Sequence, residues 1–234
     1  LSFKYPNKEV TVLSNINMQI NSKNIIGVVG ESGSGKSTLI DIILGLISPS
    51  SGQILIDGVL LDSKNLRSWQ NSIGYVPQTI FLADASIKDN VAFGLHKDDI
   101  DESKVIHAIK LANLEEHISA MPDGINSLVG EKGVQLSGGQ RQRIAIARAL
   151  YNDPDVIVFD EATSALDGLT EKVIMDSIYE LSKIKTIILI AHRLNTVKNC
   201  DVIYLFEKGK LIDSGGFEDM KNRNSHFKLM AHHS

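Results

Sequence analysis

Short apolar runs recur along the chain and predict strands that are buried on both faces. Three of them are residues 25–29, 156–159 and 186–190, and each is rich in Ile or Val. Such runs are typical of parallel strands that lie between layers of helices. Residues 1–20 instead alternate apolar and polar side chains in two runs, the second at residues 13–20, which predicts a half-exposed antiparallel layer. The pattern therefore predicts an α/β fold with a mainly parallel sheet and an antiparallel β layer.

A different pattern, with apolar residues at helical spacing, occupies the middle of the chain. It runs from about residue 84 to residue 150 and ends in a stretch rich in Ala, Arg, Ile and Gln. We therefore predict a helical subdomain at residues 84–150, inserted into an α/β core made of residues 1–83 and 151–234. Two apolar runs between residues 201 and 214 predict a closing β-hairpin, and a polar helical tail follows it.

The composition describes an ordinary globular protein and argues against nucleic acid as a partner. Of 234 residues, 43% are hydrophobic and 22% are charged, and the net charge of −4 comes without any basic tract. The single cysteine, Cys200, excludes an internal disulfide framework and is more typical of a structural than of a catalytic residue. No apolar run reaches the roughly 18 residues that a membrane span requires. Because the chain begins at Leu1 within sequence that already predicts structure, we expect it to be a piece of a longer protein.

A glycine-rich segment at residues 30–37 predicts a phosphate-binding loop. It reads Gly-Glu-Ser-Gly-Ser-Gly-Lys-Ser, and it stands between a predicted strand and a stretch of helical length. Glycines allow backbone N–H groups to approach an anion, and the helix directs the positive end of its dipole at the same place. We expect Lys36 to reach the β- and γ-phosphates and Ser37 to bind Mg²⁺. Tyr5 is the aromatic residue that we expect to stack on a base, with an ordinary strand-edge aromatic as the alternative.

Polar side chains follow three of the predicted strands. Gln78 follows a strand that Pro77 ends, Asp160 and Glu161 follow residues 156–159, and His192 follows residues 186–190. The carboxyl ends of parallel strands are where ligands usually bind, so Asp160 is the candidate Mg²⁺ ligand. Glu161 could orient or deprotonate an attacking water, and His192 could hydrogen-bond the γ-phosphate. An exposed acidic turn and a structural histidine are the alternatives.

A second anion site is predicted at Ser137-Gly138-Gly139-Gln140, directly before a strongly helical run. Ser137 is a natural N-cap, and the two glycines again allow backbone N–H groups to face an anion. One domain rarely needs two such anchors for one triphosphate. This suggests that the second site serves the nucleotide of another chain.

Together these segments resemble the ATP-binding domain of ABC transporters over essentially the whole chain. The most specific motif is Leu136-Ser137-Gly138-Gly139-Gln140, because other P-loop ATPases lack it. The other motifs, in chain order, are residues 30–37, Gln78, Arg141-Gln142-Arg143 after the signature, Asp160-Glu161, Ser164-Ala165-Leu166-Asp167 and His192. The resemblance implies a P-loop ATPase core with an inserted helical subdomain.

The resemblance also implies the ligands and the residues that bind them. ATP and Mg²⁺ are the expected ligands, and two copies of the domain are expected to enclose two ATP molecules head to tail. The expected nucleotide contacts are Tyr5, Val12, Gly30, Glu31, Ser32, Gly33, Ser34, Gly35, Lys36, Ser37 and Thr38, and from the second copy Ser137, Gly138, Gly139, Gln140 and Asp167. The expected metal ligands are Ser37, Gln78 and Asp160. The expected catalytic residues are Glu161, His192, Gln78 and Lys36.

Two segments, residues 81–90 and 129–135, are similar to exporter-type members of the family. There the second segment touches the coupling helices of a membrane domain, which is normally fused in the same chain. This implies a transmembrane domain N-terminal to the chain and a place at the cytoplasmic face of a membrane, expected to be a bacterial inner membrane. Residues 52–58 and their neighbours are similar to bacterial flippases of lipid-linked oligosaccharides.

Three alternatives stay open from the sequence. A soluble relative acting on nucleic acid or ribosomes would be expected to carry an insertion between the phosphate loop and the signature, or a second domain; neither is visible. A separate ATPase subunit of an importer is opposed by Glu131-Lys132-Gly133. A nucleotide-gated structural module without turnover is disfavoured because Glu161 and His192 are both present.

Overall fold

The computed structural model describes residues 1–6, 10–162, 166 and 168–232. By its contacts the chain divides into two compact units, Leu1–Ile73 with Thr186–Ser234, and Gly74–Lys185. These boundaries are based on contacts between residues, whereas the predicted helical subdomain at residues 84–150 is based on the spacing of apolar residues along the sequence. The division into core and subdomain stays a prediction. Among the described residues, no helix combines the length and the apolar character that crossing a bilayer requires.

The elements of the described residues are these. The strands are β1 (Phe3–Lys4), β2 (Thr11–Leu13), β3 (Ile25–Gly30), β4 (Leu55–Ile56), β5 (Val59–Leu60), β6 (Ile73–Val76), β7 (Val156–Asp160), β8 (Thr186–Ala191), β9 (Val202–Glu207) and β10 (Lys210–Gly215). The α-helices are α1 (Lys36–Ile43), α2 (Leu66–Asn71), α3 (Ile87–Val91), α4 (Glu102–Leu111), α5 (Glu115–Ser119), α6 (Gly138–Leu150), α7 (Gly168–Ser182), α8 (Phe217–Arg223) and α9 (Ser225–His232).

The first unit is built around β3, which is buried at all six of its residues. Its strands lie in the order β10, β9, β3, β8. β3 runs parallel to β8, with Ile25 opposite Ile187, and parallel to β9, with Ile26 opposite Val202. β9 and β10 form the predicted closing hairpin. The phosphate loop therefore follows a fully buried strand that has a parallel neighbour on each side.

The antiparallel layer consists of two small pairs. β1 pairs with β2, and β4 pairs with β5 through a turn in which Asp57 and Gly58 both have positive φ. The second run was predicted at residues 13–20, but β2 comprises Thr11–Leu13, so the prediction was wrong beyond Leu13. The reason is local, because Asn15 has a φ of 52°, a left-handed conformation that interrupts a strand.

The second unit packs its helices around α6, with β6 and β7 as neighbouring strands. The buried face of α6 contributes Ile144, Ile146 and Leu150. From the same helix Arg148 donates hydrogen bonds to the carbonyl oxygens of Asn90 and Phe81, at 2.8 and 2.9 Å. These bonds join α3 and the segment before it to the helix that follows the signature.

Cys200 lies buried beside Asp201. Burial, with a smaller contribution from the neighbouring carboxylate, raises the pKa of the Cys200 thiol well above its ordinary value. A thiol that stays protonated is a poor nucleophile, so this finding agrees with a structural role.

Candidate active site

The phosphate loop forms a cradle lined by backbone atoms, and its glycines differ in what a side chain would meet there. At Gly30, with a φ of 154°, a Cβ would overlap the carbonyl oxygen of Phe206 on β9. At Gly35, with a φ of 101°, a Cβ would lie 2.7 Å from Cδ2 of Leu13. At Gly33 the φ of 75° favours glycine, but no atom would meet a Cβ there within 4 Å. Two of the three glycines are thus required by close packing and the third by conformation alone.

This difference makes the glycines testable. We expect Gly30→Ala to lower the free energy of unfolding by more than about 3 kcal/mol, because a backbone carbonyl cannot move aside as a side chain can. Gly33→Ala is the matched control, and its left-handed backbone should cost only about 1–2 kcal/mol. Urea unfolding of the two variants measures both values. Equal losses of unfolding free energy in the two variants would show that packing against β9 does not determine the conformation of the loop.

Lys36 places a positive charge inside the cradle. Its side chain is 6% exposed, and Nζ donates to the carbonyl oxygens of Gly30 and Glu31 at 2.8 and 2.9 Å. The residue also begins α1, whose N-cap, Gly35, has no side chain to satisfy the first backbone N–H groups. Oγ of Ser34 is buried and has no hydrogen-bond partner among the described residues. A buried ammonium, an uncapped helix N-terminus and an unpaired hydroxyl fit the phosphates of a nucleotide.

Tyr5 and Val12 lie close to this loop. The hydroxyl of Tyr5 is 3.3 Å from Oγ1 of Thr38, which belongs to α1, and the Tyr5 ring contacts Phe3 edge to face. Val12 lies on β2, and its carbonyl oxygen would be 3.2 Å from a Cβ at Gly35. Both residues expected to contact a base are therefore beside the loop expected to hold the phosphates.

His192 directly follows β8 and is exposed. In the parallel pairing of β3 with β8, Val29 stands opposite Ala191. The next residues along the two strands are Gly30 and His192. The register thus places His192 at the same end of the sheet as the first glycine of the loop, as expected from the position of both residues after buried strands.

In the second unit the structure pairs the predicted acidic residues with donors from β6 and the turn after it. Nε2 of Gln78 donates to Oε2 of Glu161 at 2.7 Å, and the hydroxyl of Tyr75 donates to Oδ2 of Asp160 at 3.2 Å. Glu161 has a φ of 50°, a conformation that costs a non-glycine residue energy and often occurs at functional sites. Sequence reasoning missed Tyr75, although a hydroxyl-bearing aromatic three residues before Gln78 was a visible signal.

The signature segment begins α6 as predicted. Ser137 is the N-cap, and Ser137 and Gln140 form a capping box in which each side chain accepts from the backbone N–H of the other. Nε2 of Gln140 is also 3.2 Å from Nδ1 of His117, so both ends of the Gln140 amide are engaged within the chain. Its predicted contact with a second copy's nucleotide stays a prediction.

The two glycines of the signature have different surroundings. A Cβ at Gly139 would overlap Cγ2 of Thr170, whereas the closest atom to a Cβ at Gly138 would be Cδ2 of Leu166, 3.7 Å away. Packing within this chain therefore explains a glycine at position 139 but not at position 138. The remaining residue of the predicted second-copy contacts, Asp167, lies outside the described residues.

Comparison with known proteins identifies the family. The protein-family model for ABC transporters matches residues 13–164. The toxin RTX-I translocation ATP-binding protein of Actinobacillus pleuropneumoniae is 44% identical, and the alpha-hemolysin translocation ATP-binding protein HlyB of Proteus vulgaris is 47% identical, both over 220 residues. Each alignment covers 94% of this chain and 31% of the relative, so the chain spans about a third of the length of these proteins.

Among solved structures, a bacterial Atm1-family ABC exporter with ATP bound matches with a TM-score of 0.88 and 34% identity. The match covers 99% of this chain and 40% of the exporter chain. It confirms the predicted fold class, an α/β P-loop ATPase with a mainly parallel sheet and additional antiparallel strands. The chain therefore belongs to the ABC transporter family, as its motifs predict, and the solved structure that it resembles is an exporter of that family.

Proposed function

We propose that this chain binds ATP together with Mg²⁺, hydrolyses the ATP as part of a head-to-tail dimer, and thereby powers export across a membrane. The observation that carries this proposal is the buried ammonium of Lys36, which lies across a glycine cradle at the start of α1. A surface loop that matched the motif by chance would have no reason to bury a charge.

Different residues bind the base and the phosphates of the nucleotide. Tyr5 stacks on adenine, with Val12 as an apolar wall. The phosphates contact the backbone N–H groups of residues 30–38, the Lys36 ammonium and the Ser34 hydroxyl. This hydroxyl is buried and has no partner among the residues that the structure describes, which supports the role.

The residues that would hold Mg²⁺ are Ser37, Gln78 and Asp160, each of which offers a side-chain oxygen of the kind that this ion prefers. When bound, it neutralises negative charge that develops on the phosphate oxygens. Ser37 comes from the phosphate-loop motif, Gln78 from the turn after one strand and Asp160 from the end of another.

Hydrolysis is an in-line attack of water on the γ-phosphorus. Glu161 orients this water and accepts its proton, and Lys36 and His192 stabilise charge on the γ-phosphate. The hydrogen bond from Gln78 to Oε2 of Glu161 supports this assignment, because it restricts the orientation of the carboxylate. The left-handed conformation of Glu161 is a further sign that function determines its placement.

A second copy of the chain completes the site. Ser137, Gly138, Gly139, Gln140 and Asp167 are assigned to the nucleotide of the partner copy. The space around Gly138 supports this, since a glycine that none of the described residues requires suits the close approach of a ligand. The helix that starts there, α6, has 13 residues and directs its dipole at the same point.

The relatives support a transport direction and a membrane partner as parts of this proposal. The named relatives are translocation ATP-binding proteins, and the similar solved structure is an exporter. We assign this chain to a transporter whose transmembrane domain precedes it, with this domain at the cytoplasmic face. An exposed apolar side chain at Val134, in the exporter-like segment 129–135, and another at Leu128, directly before it, support a contact there with another protein domain. A lipid-linked saccharide is the proposed cargo, on the similarity of residues 52–58 to flippases.

An importer subunit and a soluble ATPase acting on nucleic acid are the other candidates. The net charge of −4 and the lack of a basic tract oppose the second of these. Both candidates would bind and hydrolyse ATP in the same way as the proposed exporter domain. The first experiment therefore tests whether ATP makes the chain dimerise.

The test is sedimentation of Glu161→Gln with and without Mg-ATP. We expect a shift from monomer to dimer that requires ATP and that is lost when Ser137→Arg is added, because a bulky cation then occupies the second-copy site. Ser119→Arg, at an exposed residue of α5 in the same unit, is the control and should leave the dimer intact. If Glu161→Gln stays monomeric with ATP, and the unsubstituted chain hydrolyses ATP at a rate per molecule independent of concentration, the two-chain mechanism is refuted.

A further inference from the structure

We infer that Tyr75 is a positioning residue, whose hydroxyl holds the carboxylate of Asp160 in the orientation that binds Mg²⁺. The hydroxyl donates to Oδ2 of Asp160 at 3.2 Å. This inference rests on the proposed function, in which Asp160 is a metal ligand.

Around the two acidic residues, each carboxylate has its own donor. Tyr75 lies on β6 and Gln78 in the turn that follows, while Asp160 ends β7 and Glu161 follows it. Tyr75 bonds to Asp160, and Gln78 bonds to Glu161. The two neighbouring carboxylates thus each accept a hydrogen bond from a different residue, which suits one of them to bind metal and the other to orient water.

The backbone that carries Tyr75 has little freedom to move. At Gly74 a Cβ would lie 2.5 Å from the carbonyl oxygen of Ala149 and 3.0 Å from Cγ of Pro154, so β6 lies directly against the end of α6. Val76, on the other side, is fully buried. Tyr75 itself is 39% exposed, with its ring directed to the same side as the carboxylate that it contacts. Two packed neighbours thus fix the strand, and only side-chain torsions remain to place the hydroxyl.

A hydrogen bond to one carboxylate oxygen determines what the other oxygen can do. With Oδ2 engaged, the carboxylate rotates less freely and presents Oδ1 in one direction. Partners of this kind, one step beyond the metal ligands, typically contribute about 10- to 100-fold in metal affinity. Because this bond is exposed, we expect an effect at the lower end, roughly 10-fold. A neutral hydroxyl also suits the place, since a lysine there would compete with the cation.

The experiment removes the hydroxyl alone. For Tyr75→Phe we measure how binding of a non-hydrolysable ATP analogue depends on Mg²⁺ concentration, and we count bound Mn²⁺ by electron paramagnetic resonance. The affinity for the analogue without metal should be unchanged, and the Mg²⁺ concentration at half-saturation should rise about 10-fold. Tyr151→Phe is the matched control. It removes a hydroxyl that accepts from the backbone N–H of Asp101 at 3.0 Å, and half-saturation should not move.

The outcomes separate this inference from the function on which it rests. An unchanged half-saturation in Tyr75→Phe, or an equal loss of binding with and without metal, overturns the role of Tyr75. If the unsubstituted chain binds the analogue with no dependence on Mg²⁺, the proposed metal site fails instead. Asp160→Asn gives the reference for loss of the ligand itself, and its half-saturation should rise further than that of Tyr75→Phe.

Discussion

Replacement of Glu161 by Gln is expected to lower the rate of ATP hydrolysis by about 10³-fold while ATP binding persists. The substitution keeps the size of the side chain and removes its ability to accept a proton. Its amide oxygen can still accept the hydrogen bond from Nε2 of Gln78, which is 2.7 Å long in this structure. The left-handed backbone at position 161 suits Gln no worse than Glu. The loss should therefore be one of chemistry and not of structure.

Phosphate release at saturating Mg-ATP measures the rate, and a fluorescent ATP analogue measures binding. Glu116→Gln serves as the control, because Glu116 is an exposed carboxylate on α5 in the same unit. Turnover at the unsubstituted rate would remove Glu161 from the mechanism. A parallel loss of binding would mean that the carboxylate supports the site and does not act on water.

For Lys36→Met, the expected loss lies in ATP binding, by about 100-fold or more. Removal of one partner from a buried charge pair typically costs about 2–5 kcal/mol, which corresponds to a loss of affinity of this order. Met has a similar length and is apolar, so it can occupy the buried space that the Lys36 side chain fills. The stability of the protein without nucleotide should fall little, since burying an ammonium is itself unfavourable.

Thermal unfolding with and without Mg-ATP separates these two effects. A ligand at 100 times its Kd stabilises the folded state by about 2.7 kcal/mol, and this gain should disappear in Lys36→Met. Lys64→Met, at an exposed lysine of the first unit, is the control and should keep the gain. If Lys36→Met retains the full nucleotide-dependent shift, the loop does not hold the triphosphate as proposed.

Much of the fold was predictable because its signals are local. The run at residues 25–29 lies within β3, and the loop after it ends in Gly35 and Lys36, where α1 begins. Ser137 caps α6 through the capping box that Ser and Gln three residues apart predict. Strand burial, helix caps and glycine conformation depend on residues close in sequence, so the sequence alone contains them.

The ends of strands were less predictable where the conformation of a single residue determines the last residue of the strand. The alternation at residues 13–20 continues past Leu13, yet the left-handed Asn15 ends the strand. Asparagine tolerates that conformation, but whether it adopts it depends on what the backbone meets. Here Ser14 N–H donates to the carbonyl oxygen of Gly209, far along the chain.

By itself the sequence determined the order of the elements, the phosphate loop, the signature helix and the family. Tertiary structure alone decided which donor meets which carboxylate, so that Tyr75 reaches Asp160 and Gln78 reaches Glu161. It also decided that Thr170 crowds Gly139 while Gly138 stays open. The physical reason is that such contacts join residues tens of positions apart, and their distances are set by how strands and helices pack. Local propensities carry no information about that packing.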